Sequence, residues 1–163
     1  MSETLRRAFA DPRRTALVLA ILVALALAVA HAIEAMGFPP CPLCLYQRYP
    51  YYAALPVLAA GALVGWPRAA LAVAAMLFLV DFAVAAFHVG VEQGIFALPE
   101  SCAAQGRAAT LEELRAQVMG TVPRCDRPEF FLLGLTLATW NALFALALSL
   151  AALLGLLLGR RPV

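Results

Sequence analysis

Cys41-Pro42-Leu43-Cys44 stands at the outer edge of the second of four apolar stretches, with Arg48 one helical turn beyond Cys44. Two thiols at this spacing can cycle between dithiol and disulfide, and the reactive species in such exchange is the thiolate. Pro42 suits the first position of a helix, where its missing N–H is not needed, so a helix is expected to begin inside the Cys-x-x-Cys itself. A helix N-terminus stabilises a thiolate through the helix dipole and its unpaired N–H groups. Cys41, Cys44 and Arg48 project from one helical face. The guanidinium can therefore stabilise a thiolate, or negative charge forming on an electron acceptor. A couple placed there could exchange electrons with a soluble protein on one side and a lipid-phase carrier on the other.

Other uses of the pair fit less well. A bridge closing so small a loop removes little chain entropy, which makes stapling a poor reason for it. Zinc would want a second pair of ligands nearby, and no metal site is expected: Cys102 and Cys125 are isolated from each other in sequence, and the two histidines, His31 and His88, fall on helices. Haem attachment would want His after the second cysteine, where Leu45 stands. Cys102 and Cys125 can be bridged to each other, with about 3 kcal/mol of loop-entropy stabilisation. Taken alone, they fit a structural staple and a redox pair equally. Beside the Cys-x-x-Cys, a loop that can carry either cysteine to Cys41 points to a relay.

The elements that must position these groups are written in the composition. Of 163 residues, 64% are hydrophobic and 13% charged, and the mean hydropathy is +0.86, values of an integral membrane protein rather than a soluble domain. Crossing a hydrocarbon layer of about 30 Å takes about 20 helical residues. Four runs have that length: Thr15 to Ile33, Tyr49 to Pro67, Ala69 to Val91 (broken only by Asp81), and Phe130 to Gly159. The expected fold is all-α, a single membrane domain over 1–163 forming a four-helix bundle. Its helices are placed at about 15–35, 45–65, 69–91 and 129–158, with outer loops 36–44 and 92–128. Short connections such as Gly65-Trp66-Pro67-Arg68 make neighbours antiparallel.

Every Lys/Arg position is arginine. Arg6, Arg7, Arg13 and Arg14 precede the first helix, Arg68 lies in the second connection, and Arg160 and Arg161 end the chain, which by the positive-inside bias places both termini in the cytoplasm. Arg107, Arg115, Arg124 and Arg127 in the long loop weaken the bias. All four cysteines then fall outside, where disulfides persist. The basic start, the apolar run and Ala30-His31-Ala32 imitate a cleavable signal peptide. The run is as long as a spanning helix, however, so retention is expected.

Pro39 and Pro40 stiffen the first outer loop, and Pro50 and Pro56 predict a bent second helix. Tyr46, Tyr49, Tyr51 and Tyr52 fit an aromatic belt at the outer headgroup level, and Trp66 an anchor at the inner one. In the long loop, Thr110 with Glu113 matches a capping box, and Leu111, Leu114 and Val118 predict a short amphipathic helix. It could rest on the membrane or on the bundle's outer end. Asp81 at mid-membrane marks function by default. With His88 and Glu92 it could form a column that delivers protons, or it could hydrogen-bond Asn141 across the bundle. His88 could touch an acceptor's head group or be an interfacial histidine without catalytic duty. His31 and Glu34 form a local pair, and Trp140 is expected to pack rather than to form a platform.

The run Cys-Pro-Leu-Cys-Leu-Tyr-Gln-Arg-Tyr at 41–49, the four-helix layout, the Cys102 and Cys125 pair and Trp140-Asn141 together resemble the DsbB family of bacterial disulfide-forming membrane proteins. The resemblance spans essentially the whole chain. It implies a thiol:quinone oxidoreductase of the bacterial inner membrane, multi-pass, with its redox loops in the periplasm. Such a protein reoxidises a DsbA-like thioredoxin-fold dithiol oxidase and uses quinone, ubiquinone ahead of menaquinone. Membrane lipid and the quinone pool are partners, and nucleic acid is not.

Carried onto this chain, the resemblance has Cys102 forming the mixed disulfide with the donor. Cys125 then exchanges with Cys41, Cys44 passes electrons to quinone, and Arg48 matches the family's quinone-site arginine; His88, which the third helix should return to the level of Arg48, is the other candidate at the quinone. The alternative is a non-enzymatic membrane protein whose outer loops are held by two structural disulfides. A conduit drawing reducing equivalents from the cytosol would need cysteines reachable from inside, and this chain has none.

Overall fold

The computed structural model describes residues 3, 8–102, 110–118 and 123–159. Arg6, Arg7, Arg107, Arg160 and Arg161 lie outside these residues, as do the side chains of Glu113 and Val118. Four long helices dominate: α1 (Pro12–Ala35), α2 (Pro42–Val64), α3 (Pro67–Glu92) and α5 (Leu137–Leu158). Between α3 and α5 come a 3-10 turn (Glu100–Cys102), a short α4 (Leu111–Val118) and a hairpin of β1 (Phe131–Leu132) and β2 (Leu135–Thr136).

Local chemistry sets the helix ends. Asp11 caps α1 by accepting the N–H groups of Arg13 and Arg14, with Pro12 in the first turn. Cys41 caps α2, and the Cys44 N–H donates to its sulfur at 3.3 Å, so the helix does begin inside the Cys-x-x-Cys. Gly65 ends α2 in the left-handed region at φ 94°, and Pro67 opens α3 two residues later. That tight connection makes α2 and α3 antiparallel. Gly61 lets them close up: a Cβ there would run into Ala70.

α3 packs along both α2 and α5, and α1 packs along α2 but touches α5 and α3 far less. The shared core is built of small and medium side chains, with Ala16, Val23, Ala54, Leu58, Leu71 and Phe78 fully enclosed. Large apolar residues on the outside, among them Ile21, Val29, Met76, Val80, Leu143 and Leu150, are exposed. An apolar exterior around a small-residue core suits a lipid solvent, in which close helix approach replaces the hydrophobic drive. α1, α3 and α5 are long and apolar enough to cross a membrane. α2 is as long, but its first turns carry Gln47, Arg48 and the tyrosine cluster.

Two expectations need correction. The last helix starts at Leu137, not near 129, because Leu133 and Gly134 both take positive φ, at 53° and 82°, and fold residues 131–136 into a hairpin. Thr136 then caps the helix through the Thr139 N–H at 3.2 Å. Tyr51 is also not part of an aromatic belt. It is 4% exposed, packed between Phe78 and Phe144, while Tyr46, Tyr49 and Tyr52 face outward.

Candidate redox site

The N-terminal end of α2 meets the C-terminal end of α3, and the returning loop brings the second cysteine pair onto them. Cys102 and Cys125 are joined in a disulfide with Cα atoms 5.4 Å apart, and both are buried. They form one cluster with Cys41, Leu43 and Val91, against which Cys44 and Leu98 pack. Cys41 and Cys44 are unbridged, their sulfurs 2.7 Å apart. The sulfurs of Cys41 and Cys125 and a ring nitrogen of His88 all lie within 4.8 Å of one another. The argument against zinc set the histidines aside because they fall on helices. The fold instead brings His88 onto them, although the third donor, Cys125, is the sulfur of a disulfide rather than a thiolate.

His88 is 2% exposed. Its Nε2 is 3.7 Å from Cys41 Sγ, 3.2 Å from the carbonyl oxygen of Cys125 and 3.8 Å from Glu92 Oε1. On the other side of the ring, Nδ1 is 2.7 Å from Gln47 Nε2. It therefore sits between the two cysteine pairs. Glu92 in turn accepts from the Thr136 hydroxyl at 2.7 Å. The thiol of Cys41, at the N-terminal end of α2, is held well below the ordinary range: hydrogen bonding from Cys44 is the largest cause, and His88 adds to it against the opposing effect of burial.

Asp81, His88 and Glu92 share one face of α3, yet Asp81 and His88 are joined only through other helices. Asn141 Nδ2 donates to Asp81 Oδ2 at 3.0 Å and to Gln47 Oε1 at 2.9 Å, and Tyr51 donates to Asn141 Oδ1 at 2.7 Å. The Asp81–Asn141 bond anticipated from the sequence is thus present. Gln47 and Tyr51, which complete the chain, were not singled out for it. They are four apart on α2, so helical spacing from Cys44 could have found them.

Arg48 lies on the same helix but spends two N–H groups on α1, donating to Glu34 at 2.7 Å and to the Ala30 carbonyl at 3.4 Å. His31 is 3.6 Å from Glu34, as expected, and also 2.7 Å from the Tyr52 hydroxyl. Trp140 donates to the Leu132 carbonyl and so ties α5 to the hairpin.

Because α1 packs loosely on α5, a cavity of about 520 Å³ opens between them. Its walls are mainly apolar, with Leu25, Val29, Phe144 and Trp140 among them. Cys41, Cys44, Arg48 and His88 line it too. The arrangement can therefore do two things chemically: exchange disulfides between Cys125 and Cys41, and pass electrons from Cys44 to an apolar molecule with a polar head.

The family model for disulfide bond formation protein DsbB matches residues 12–155 of this chain. Neither the curated proteins nor the solved structures give a significant match.

Proposed function

The chain belongs to the DsbB family of disulfide bond formation proteins, and on that premise we propose that it is a thiol:quinone oxidoreductase of the bacterial inner membrane. Its donor is a periplasmic DsbA-like dithiol protein and its acceptor membrane quinone, ubiquinone ahead of menaquinone. Both termini lie in the cytoplasm, and α4 rests its exposed Leu111 and Leu114 on the outer membrane surface. The observation that carries the proposal is the position of Cys41, within exchange distance of Cys125 on one side and beside Cys44 at an apolar cavity on the other.

The sulfur chemistry balances with these residues. A donor thiolate attacks Cys102 Sγ, breaks the Cys102–Cys125 bond and releases the Cys125 thiolate. Cys125 attacks Cys41 of an oxidised Cys41–Cys44 pair, and Cys44 leaves as a thiolate. The donor's second thiolate then attacks its own sulfur in the mixed disulfide, leaving oxidised donor and a Cys102 thiolate. Cys102 attacks Cys125, which restores the upper disulfide and frees Cys41. The pairing in the structure, Cys102–Cys125 bridged and Cys41 and Cys44 free, is the one this sequence ends on.

Re-forming the Cys41–Cys44 bond from the two thiolates releases two electrons, which a quinone held in the cavity would accept together with two protons equivalent to those the donor's thiols gave up. The lining fits such a molecule, apolar along α1 and α5 and polar at the end where Cys44, Arg48 and His88 stand. Arg48 uses two of its five N–H donors on α1, and the others remain for the Cys44 thiolate and a head-group oxygen. The test is reduction of ubiquinone by the reduced donor protein. It should be abolished in Cys44→Ser, whereas a chain whose disulfides only hold its loops would reduce no quinone even as wild type.

A further inference from the structure

The carboxamide of Gln47 is held at both ends, and the sense of each hydrogen bond can be read outward from Asn141. The Tyr51 hydroxyl donates to Asn141 Oδ1, and Asn141 Nδ2 faces both Asp81 Oδ2 and Gln47 Oε1. With Asp81 ionised, turning Asn141 over would set its oxygen against a carboxylate oxygen, a repulsion that turning Gln47 over with it does not relieve. With Asn141 fixed this way, Gln47 must present its oxygen to Asn141 and its NH2 group to His88 Nδ1, 2.7 Å away. A ring nitrogen that receives an N–H is an acceptor and carries no proton.

We infer that Gln47 is a positioning residue: it holds neutral His88 with its proton on Nε2, so that the ring donates toward the sulfur of Cys41 and cannot take that thiol's proton. Nε2 is the nitrogen facing the redox groups, 3.7 Å from Cys41 Sγ and 3.2 Å from the Cys125 carbonyl, with Glu92 Oε1 at 3.8 Å. An N–H aimed at sulfur favours the thiolate, so the direction of an amide two residues removed from the sulfur controls the nucleophile. Apart from half-buried Asn141, the members of this chain are almost entirely shut off from solvent: Tyr51 is 4%, Gln47 5%, Asp81 0% and His88 2% exposed. Water therefore does not compete for the buried bond between Gln47 and His88, and its direction persists. The consequence for Cys41 rests on the redox function proposed above; the tautomer itself does not.

The test begins with the native protein. It has two histidines, so the full chain carrying isotope-labelled histidine in lipid nanodiscs gives two ring patterns, and His31→Gln assigns them. His88 is expected to show a bare Nδ1 and a protonated Nε2; a proton on Nδ1, or comparable amounts of both tautomers, overturns the inference. In Gln47→Leu the tautomers should mix, and the pH midpoint for alkylation of Cys41, located by peptide mass mapping, should rise by about one pH unit. In a His88→Ala background the same substitution should raise the midpoint no further, and an equal rise there would overturn the positioning role. A swapped tautomer in a protein that still reduces quinone would sink this inference and leave the function standing. The expected tautomer in a protein that reduces no quinone would do the reverse.

Discussion

Replacing Asn141 with leucine should unfasten the polar centre of the bundle. Asn141 makes three hydrogen bonds that cross between helices: from Tyr51 at 2.7 Å, to Gln47 at 2.9 Å and to Asp81 at 3.0 Å. Interhelical bonds of this kind within membranes average about 0.6 kcal/mol each and reach about 1.7, so the three together are worth roughly 2–5 kcal/mol. Leucine would leave the Tyr51 hydroxyl, the Gln47 oxygen and Asp81 Oδ2 unpaired at sites 4%, 5% and 0% exposed. Asp81 Oδ1 already has no hydrogen-bond partner among the described residues, so Asp81 would lose its one such bond there. The expected loss is therefore in the upper half of that range.

The assay is reversible unfolding in mixed micelles, followed by helicity, with Leu143→Ala as control. Leu143 sits two residues on and is 52% exposed, so its truncation should cost no more than about 0.5 kcal/mol. An Asn141→Leu loss below about 1 kcal/mol, or one matched by the control, would refute the idea that these bonds fasten the bundle.

Alkylation of Cys41 should persist as the pH falls until it fails near 5, because a depressed thiol stays ionised at every pH above its own value, to which hydrogen bonding from Cys44 lowers it. Removing that bond in Cys44→Ala should move the midpoint upward, and an unchanged midpoint would reassign the cause. In Cys44→Ser, where Cys41 has lost its partner, the Cys41 thiolate should attack Cys125 and release Cys102 as a thiolate, giving a Cys41–Cys125 disulfide detectable by peptide mapping, given their sulfurs within 4.8 Å; a Cys41–Cys102 product would contradict the order of exchange. Gly61→Val should destabilise the protein by about 1–3 kcal/mol, since any Cβ there meets Ala70, and a neutral result in the same unfolding assay would show that α2 and α3 do not need to approach so closely.

Helices, connections and chemistry were legible in the one-dimensional chain because each is a local property. Apolar run length marks the long helices, Asp11-Pro12 and Cys41-Pro42 mark two starts and Gly65 an end, and the Cys-x-x-Cys carries its redox character in its spacing. The hairpin at 131–136 was hidden because its residues are as apolar as a helix, with Gly134 and Thr136 as the only local signs. The relations between helices were not legible at all. That Tyr51 is enclosed, that Arg48 pairs with Glu34, and that Gln47 links Asn141 to His88 depend on which faces meet. Helical periodicity gives the face a residue occupies on its own helix, but not the rotation of that helix against its neighbours. Packing of the small-residue core sets those rotations, and with them the closeness of Cys41 to both His88 and Cys125.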